Sequence, residues 1–88
     1  MQLPTLPFWF KQRQCKAEPA GDDHTLKVSG PNLGEAYVSA RRADNGLWLA
    51  ALRLTPGGAD AAVTEPEIAT EPDAWEAALE LYRTHVIV

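Results

Sequence analysis

At 88 residues, with a net charge of −4 and a single cysteine, the chain has room for one small domain, residues 1–88, and excludes a scaffold held by intrachain disulfides. Its acidic balance opposes general polyanion binding, and no apolar run reaches the roughly 18 residues that a membrane-spanning helix needs. Leu3 to Phe10 is not built as a secretory signal, since Pro4 and Pro7 break it and its cations follow the apolar run, and neither end carries a lipidation motif. The expectation is a soluble cytoplasmic protein, and the alanine-rich, lysine-poor composition suits a bacterial source.

Charge is unevenly distributed. Residues 1–54 carry seven lysines and arginines against five carboxylates, whereas residues 55–88 carry Arg83 alone against seven. Such a chain is expected to fold as a dipole, with a mildly basic sheet side and an acidic helix side.

In chain order, residues 1–7 read as an irregular terminus because Pro4 and Pro7 lack backbone donors. Pro4-Thr5-Leu6-Pro7 formally matches a PxxP ligand, but a proline-punctuated terminus is the simpler reading. In Phe8 to Lys16 three consecutive aromatics favour a strand over a short helix. Residues 18–24, with Pro19, Gly21 and two aspartates, read as a loop. Thr25 to Gly30 alternates Leu26 and Val28 against Thr25, Lys27 and Ser29, the pattern of a half-buried strand, and Pro31-Asn32-Leu33-Gly34 reads as a turn.

The strongest local signal is Glu35 to Leu54. Two apolar-patterned runs flank Asp44-Asn45-Gly46, and Asn-Gly between such runs predicts a β-hairpin. A three-residue loop ending on glycine pairs Ala36 with Leu54, Val38 with Leu52, Ala40 with Ala50 and Arg42 with Trp48. This register gathers the apolar side chains on one face, and a one-residue slip would scatter them. The other face then carries Tyr37, Ser39 and Arg41 opposite Arg53, Ala51 and Leu49.

Thr55-Pro56-Gly57-Gly58 predicts a second turn and Ala61 to Thr64 an edge strand beside Pro66. Thr64 to Ala69 and Thr70 to Trp75 are similar hexads, too short for a structural repeat. The second opens a helix, with Thr70 or Glu71 at the cap, Pro72 in the first turn and acids at the positive end of the helix dipole. Trp75, Ala78, Leu79, Tyr82 and Val86 then recur on one helical face. Residues 84–88 are open between a frayed turn and a short strand. The expected fold class is α+β: a small antiparallel sheet of three to five strands with one C-terminal amphipathic helix packed on one face.

Catalytic chemistry finds no constellation. Gly57-Gly58 has no following lysine and so makes no phosphate loop. Cys15 has Arg13 and Lys16 nearby to lower its pKa, but no signature surrounds it. Asp22-Asp23-His24 offers three metal-ligand types in a row, and consecutive residues do not converge easily on one ion. Glu76 and Glu80 read as a solvent face. The chain is accordingly expected to be non-enzymatic, with no cofactor and no metal site.

Two binding readings remain. Three antiparallel strands followed by a helix, with Arg41-Arg42, Asn45-Gly46-Leu47-Trp48 and Arg53-Leu54, make Glu35 to Tyr82 resemble the small DNA-binding modules of AP2 type and the arm-binding domains of tyrosine recombinases. That resemblance implies a sheet face in the major groove, with Arg41, Arg53 and Tyr37 as the contacting residues. The chain departs from those basic modules in being acidic, which weakens phosphate binding and makes it salt-sensitive. A protein partner is the leading expectation, because Leu47, Leu49 and Tyr37 rimmed by arginines match the composition of interface centres. The candidate partner-binding residues are Tyr37, Arg41, Leu49 and Arg53, unless Phe8 to Phe10 cover that face as a second layer.

Overall fold

A computed structural model describes residues 3–21, 23–31, 33–55 and 58–87. Its elements run α1 (Phe8–Gln12), β1 (Lys16–Pro19), β2 (Thr25–Ser29), β3 (Ala36–Arg42), β4 (Trp48–Arg53), β5 (Asp60–Val63) and α2 (Glu71–Tyr82), followed by a π-helical turn, Arg83–Ile87. The predicted turns around Asn32 and Pro56-Gly57 rest on residues outside those described.

The sheet is built around the β3–β4 hairpin. Gly46 adopts φ +84°, a conformation that costs glycine little. Its N–H donates to the Ala43 carbonyl at 3.0 Å, while the Ala43 N–H donates to Leu47 O at 2.7 Å. The loop Asp44-Asn45-Gly46 thereby sets Val38 opposite Leu52, Ala40 opposite Ala50 and Arg42 opposite Trp48, the expected register. Asn45 also ties the turn to later chain, because its amide oxygen accepts from Leu47 N–H (3.0 Å) and its amide nitrogen donates to Pro66 O (3.1 Å). The pairing stops at Tyr37–Arg53, so Leu54 is not opposite Ala36. It lies beyond β4 and half its surface is exposed.

All neighbours are antiparallel and sequential, in the order β1-β2-β3-β4-β5. β5 is the edge strand that its small residues predicted, with a bulge opposite Leu52/Arg53. The chain then stays beside β4: Thr64 N–H bonds Ala50 O and Ala50 N–H bonds Thr64 Oγ1, each at 2.9 Å, and Trp48 and Ile68 exchange backbone bonds.

Two N-terminal expectations are corrected. Phe8–Gln12 is a helical turn, not a strand. It follows extended Pro7 and ends with Gln14 in the left-handed region at φ 59°, where Gln14 N–H returns to Lys11 O and Cys15 N–H to Phe10 O. That pair of bonds satisfies the last carbonyls and stops the helix. The aromatic run therefore does not alternate across a sheet: Phe10 is fully buried, Trp9 half-buried and Phe8 exposed. Residues 16–19 are strand, so the predicted 18–24 loop begins only after Pro19. Proline fits there because β1 is an edge strand, which has no need of a second row of donors.

α2 starts as its sequence predicts. Thr70 Oγ1 accepts the Asp73 N–H at 3.3 Å, and Pro72 stands in the first turn, whose own N–H groups lack partners. Trp75, Ala78, Leu79 and Tyr82, joined by Ala74, bury against Leu26, Val28, Val38, Ala50 and Leu52. Ala36, Ala40, Ala50 and Ala78 all lie between the layers without exposure of more than 1%. Burial on this scale supplies about 1.5–3 kcal/mol for each large aliphatic side chain. No glycine stops α2, and residues 83–87 continue as the π-turn, in which His85 Nδ1–H donates to Leu81 O at 3.0 Å.

Candidate interaction surface

Period-two alternation sends the core residues toward α2 and a second set outward. In register across the sheet, Glu18, Lys27, Tyr37, Arg53 and Asp60 form one outward row. Thr25, Ser39, Ala51 and Val63 form the next, and Arg41 opposite Leu49 forms a third. The four residues singled out from the sequence thus share one face, with Tyr37 beside Arg53 and Arg41 beside Leu49. All four are half-buried.

Long side chains explain why the middle row has no solvent exposure at Ser39 and Ala51. Arg41 makes a bidentate pair with Asp60, Nη1 to Oδ2 and Nη2 to Oδ1 at 3.1 Å each, and its Nη2 lies 3.5 Å from Ser39 Oγ. The guanidinium so crosses the two small residues to reach the carboxylate. Lys27 is similarly engaged, 3.3 Å from Glu35 and 3.7 Å from Glu18, and its bond to Glu35 raises its pKa. Arg53 differs. Its register neighbour Asp60 is taken by Arg41, it forms no ion pair among the described residues, and its buried Nε has no hydrogen-bond partner.

The apolar component lies at the β4–β5 end. Leu47 and Val63 are exposed and flank half-buried Leu49. Asp60 and Val63 belong to this surface and escaped the sequence reading, since the β4–β5 register sets Val63 opposite Ala51 and its bulge brings Asp60 opposite Arg53.

The N-terminal aromatics do not form a lid here. Phe10 sits in the core on the helix side, its ring 6.4 Å from that of Tyr82, with Trp9 edge-on at 5.7 Å and the Arg83 guanidinium 5.9 Å from the Trp9 centroid.

Away from this face, burial perturbs Cys15 and Tyr82. Burial pushes the Cys15 thiol up against the opposing pull of Arg13, so the expected lowering by neighbouring cations does not prevail. The fully buried Tyr82 hydroxyl faces that thiol without a well-formed hydrogen bond, and burial raises its pKa also. Among the described residues no group of three or more His, Cys, Asp or Glu side chains could hold a metal ion, and Asp22 lies outside them. No helix among them is long and apolar enough to cross a membrane. No family model, curated protein or solved structure matches the chain.

Proposed function

We propose that this chain is a non-enzymatic protein-interaction module that engages a protein partner through Tyr37, Arg41, Leu49 and Arg53. One observation carries the choice of partner class. Two of the outward cations are already matched, Arg41 by Asp60 and Lys27 by Glu18 and Glu35, while Leu47 and Val63 are exposed and Leu49 is half-buried on the same side. A phosphate backbone would have to compete with carboxylates for those cations on a net-negative molecule. A protein surface can accept the face as it stands, burying its leucines and leaving the ion pairs at the rim.

Sheet-face nucleic-acid binding is the second reading, favoured by the unpaired Arg53 beside Tyr37. The two separate by substitution. With a protein partner captured from the native host, Leu49→Asp and Tyr37→Ala weaken the complex most, because desolvated anchors carry interface energy. With labelled oligonucleotides titrated across salt, Arg53→Ala and Arg41→Ala weaken binding most and each flattens the salt dependence by about one unit. Oligonucleotide binding that persists at physiological salt and is lost in Arg53→Ala overturns the protein-partner reading.

A further inference from the structure

On the helix side, away from the outward sheet face, an open groove of about 1050 Å³ runs between segment 3–7 and the start of α2. Its apolar lining comes from Leu3, Pro4, Leu6 and Pro7 on one wall, Pro72 on the other, and the indoles of Trp9 and Trp75. Its polar rim is of one sign. Asp23, Glu71, Asp73, Glu76 and Glu80 line it, and no lysine, arginine or histidine does. Of those five carboxylates only Glu80 has a cationic partner among the described residues, Arg83 at 3.0 Å.

We propose that this groove is a second binding site, whose occupant is a basic, partly apolar segment of a partner polypeptide. Charge complementarity selects the occupant. A cavity walled by low-dielectric apolar groups focuses the field of its unpaired carboxylates, which draws cations in and repels acidic chains. Half-buried Trp9 adds attraction of its own, since a lysine or arginine over a tryptophan face is favoured by the ring quadrupole, whereas Trp75 is buried and supplies only apolar wall. Trp9 already receives one cation in this way, the Arg83 guanidinium 5.9 Å from its centroid. Apolar side chains of the incoming segment would cover the proline and leucine wall, which remains partly open to solvent at Leu3. The PxxP stretch thus has a place in the molecule: Leu6 packs against the core, Pro4 and Pro7 line the groove, and Pro7 is extended.

The test uses the full chain and a fluorescein-labelled eight-residue peptide repeating Lys-Leu-Arg-Ala, with a Glu-Leu-Glu-Ala peptide as the opposite-charge control. Anisotropy at low salt is expected to show binding of the basic peptide alone. Amide and indole NMR shifts should concentrate at Trp9, Trp75 and residues 71–76. Glu76→Lys, at an exposed position, should weaken binding at least about fivefold, roughly the loss of one favourable cation contact, while Glu65→Lys and Glu67→Lys outside the groove should leave it within about twofold. Equal losses in all three variants, or shifts spread over every acidic surface, would mean diffuse charge attraction and overturn the proposal. So would the absence of binding at about 1 mM peptide, an affinity too weak for a site. Sedimentation showing a dimer that Glu76→Lys dissolves would assign the groove to a second copy of the chain and equally overturn it. None of these outcomes depends on the outward sheet face, where Leu49→Asp should bind the peptide as the unaltered chain does.

Discussion

Arg41 and Asp60, 19 positions apart in the chain, hold each other through two 3.1 Å bonds across the outward face of the sheet. Their pair spans Ser39 and Ala51, whose burial on a face without a packed helix follows from it. It also ties edge strand β5 to β3, its second neighbour, over the top of β4. Because both side chains are partly exposed, the coupling measured by a double-mutant cycle of Arg41→Ala and Asp60→Ala should fall at about 0.2–1 kcal/mol. The more telling readout is hydrogen exchange, which should accelerate selectively at β5 amides in either variant. A coupling indistinguishable from zero would reduce the pair to a surface contact.

Leu79 is fully buried between the layers. Leu79→Ala should cost about 2–5 kcal/mol, a large share of the roughly 4–13 kcal/mol expected for a chain of this length. Urea denaturation checks this, and a loss below about 1 kcal/mol would mean that α2 contributes little to the core.

The Tyr82 hydroxyl is buried without a well-formed hydrogen bond, so Tyr82→Phe should be neutral or stabilising, by up to about 1–3 kcal/mol near neutral pH. Its effect on pH dependence has a definite sign. Burial raises the folded-state pKa of Tyr82 above its ordinary value of 10.0, and the unfolded chain therefore releases that proton first. The stabilising contribution is fully present below the unfolded pKa and is lost as pH rises through the folded one. Cys15, raised from 9.0, acts in the same direction from a lower pH. Denaturation across pH 8 to 11 (about the range these groups span) should show an alkaline decline that is smaller in Tyr82→Phe. An unchanged decline would place its origin in Cys15 and Lys27, whose pKa values are also raised.

Gln14 closes α1 at φ 59°, a region that disfavours residues with a Cβ. Gln14→Gly should therefore be neutral to stabilising, by up to about 1 kcal/mol, whereas Gly46→Ala at φ +84° should destabilise by about 1–2 kcal/mol. In thermal melts Gly46→Ala should lower the midpoint, while Gln14→Gly should leave it unchanged or raise it. A stabilised Gly46→Ala would contradict the turn geometry.

The hairpin and α2 were legible in the sequence because their information is local. Asn45-Gly46 sets a turn whose geometry admits few registers, and only one collects Val38, Ala40, Ala50 and Leu52 on a single face. Thr70, Pro72 and the Trp75–Tyr82 stripe likewise carry cap, first turn and buried face within one continuous segment. Position on the outward face followed for Tyr37, Arg41, Leu49 and Arg53, since strand alternation needs no knowledge of the rest of the fold.

Tertiary structure decided what local preference left balanced or misjudged. Phe8-Trp9-Phe10 has strand propensity, yet one helical turn lets Phe10 reach Tyr82 and leaves Phe8 outside, and core packing outweighs a preference of that size. Pro19 reads as a loop residue until an edge position removes the need for its missing N–H. Asp60 becomes the partner of Arg41 only through the bulge that shifts β5. The acidic groove joins residues 3–9 to residues 71–80, segments with no pattern in common. Periodicity and turn chemistry act over a few residues and are written in order along the chain, whereas an ion pair or a groove depends on distances that exist only once the layers have packed.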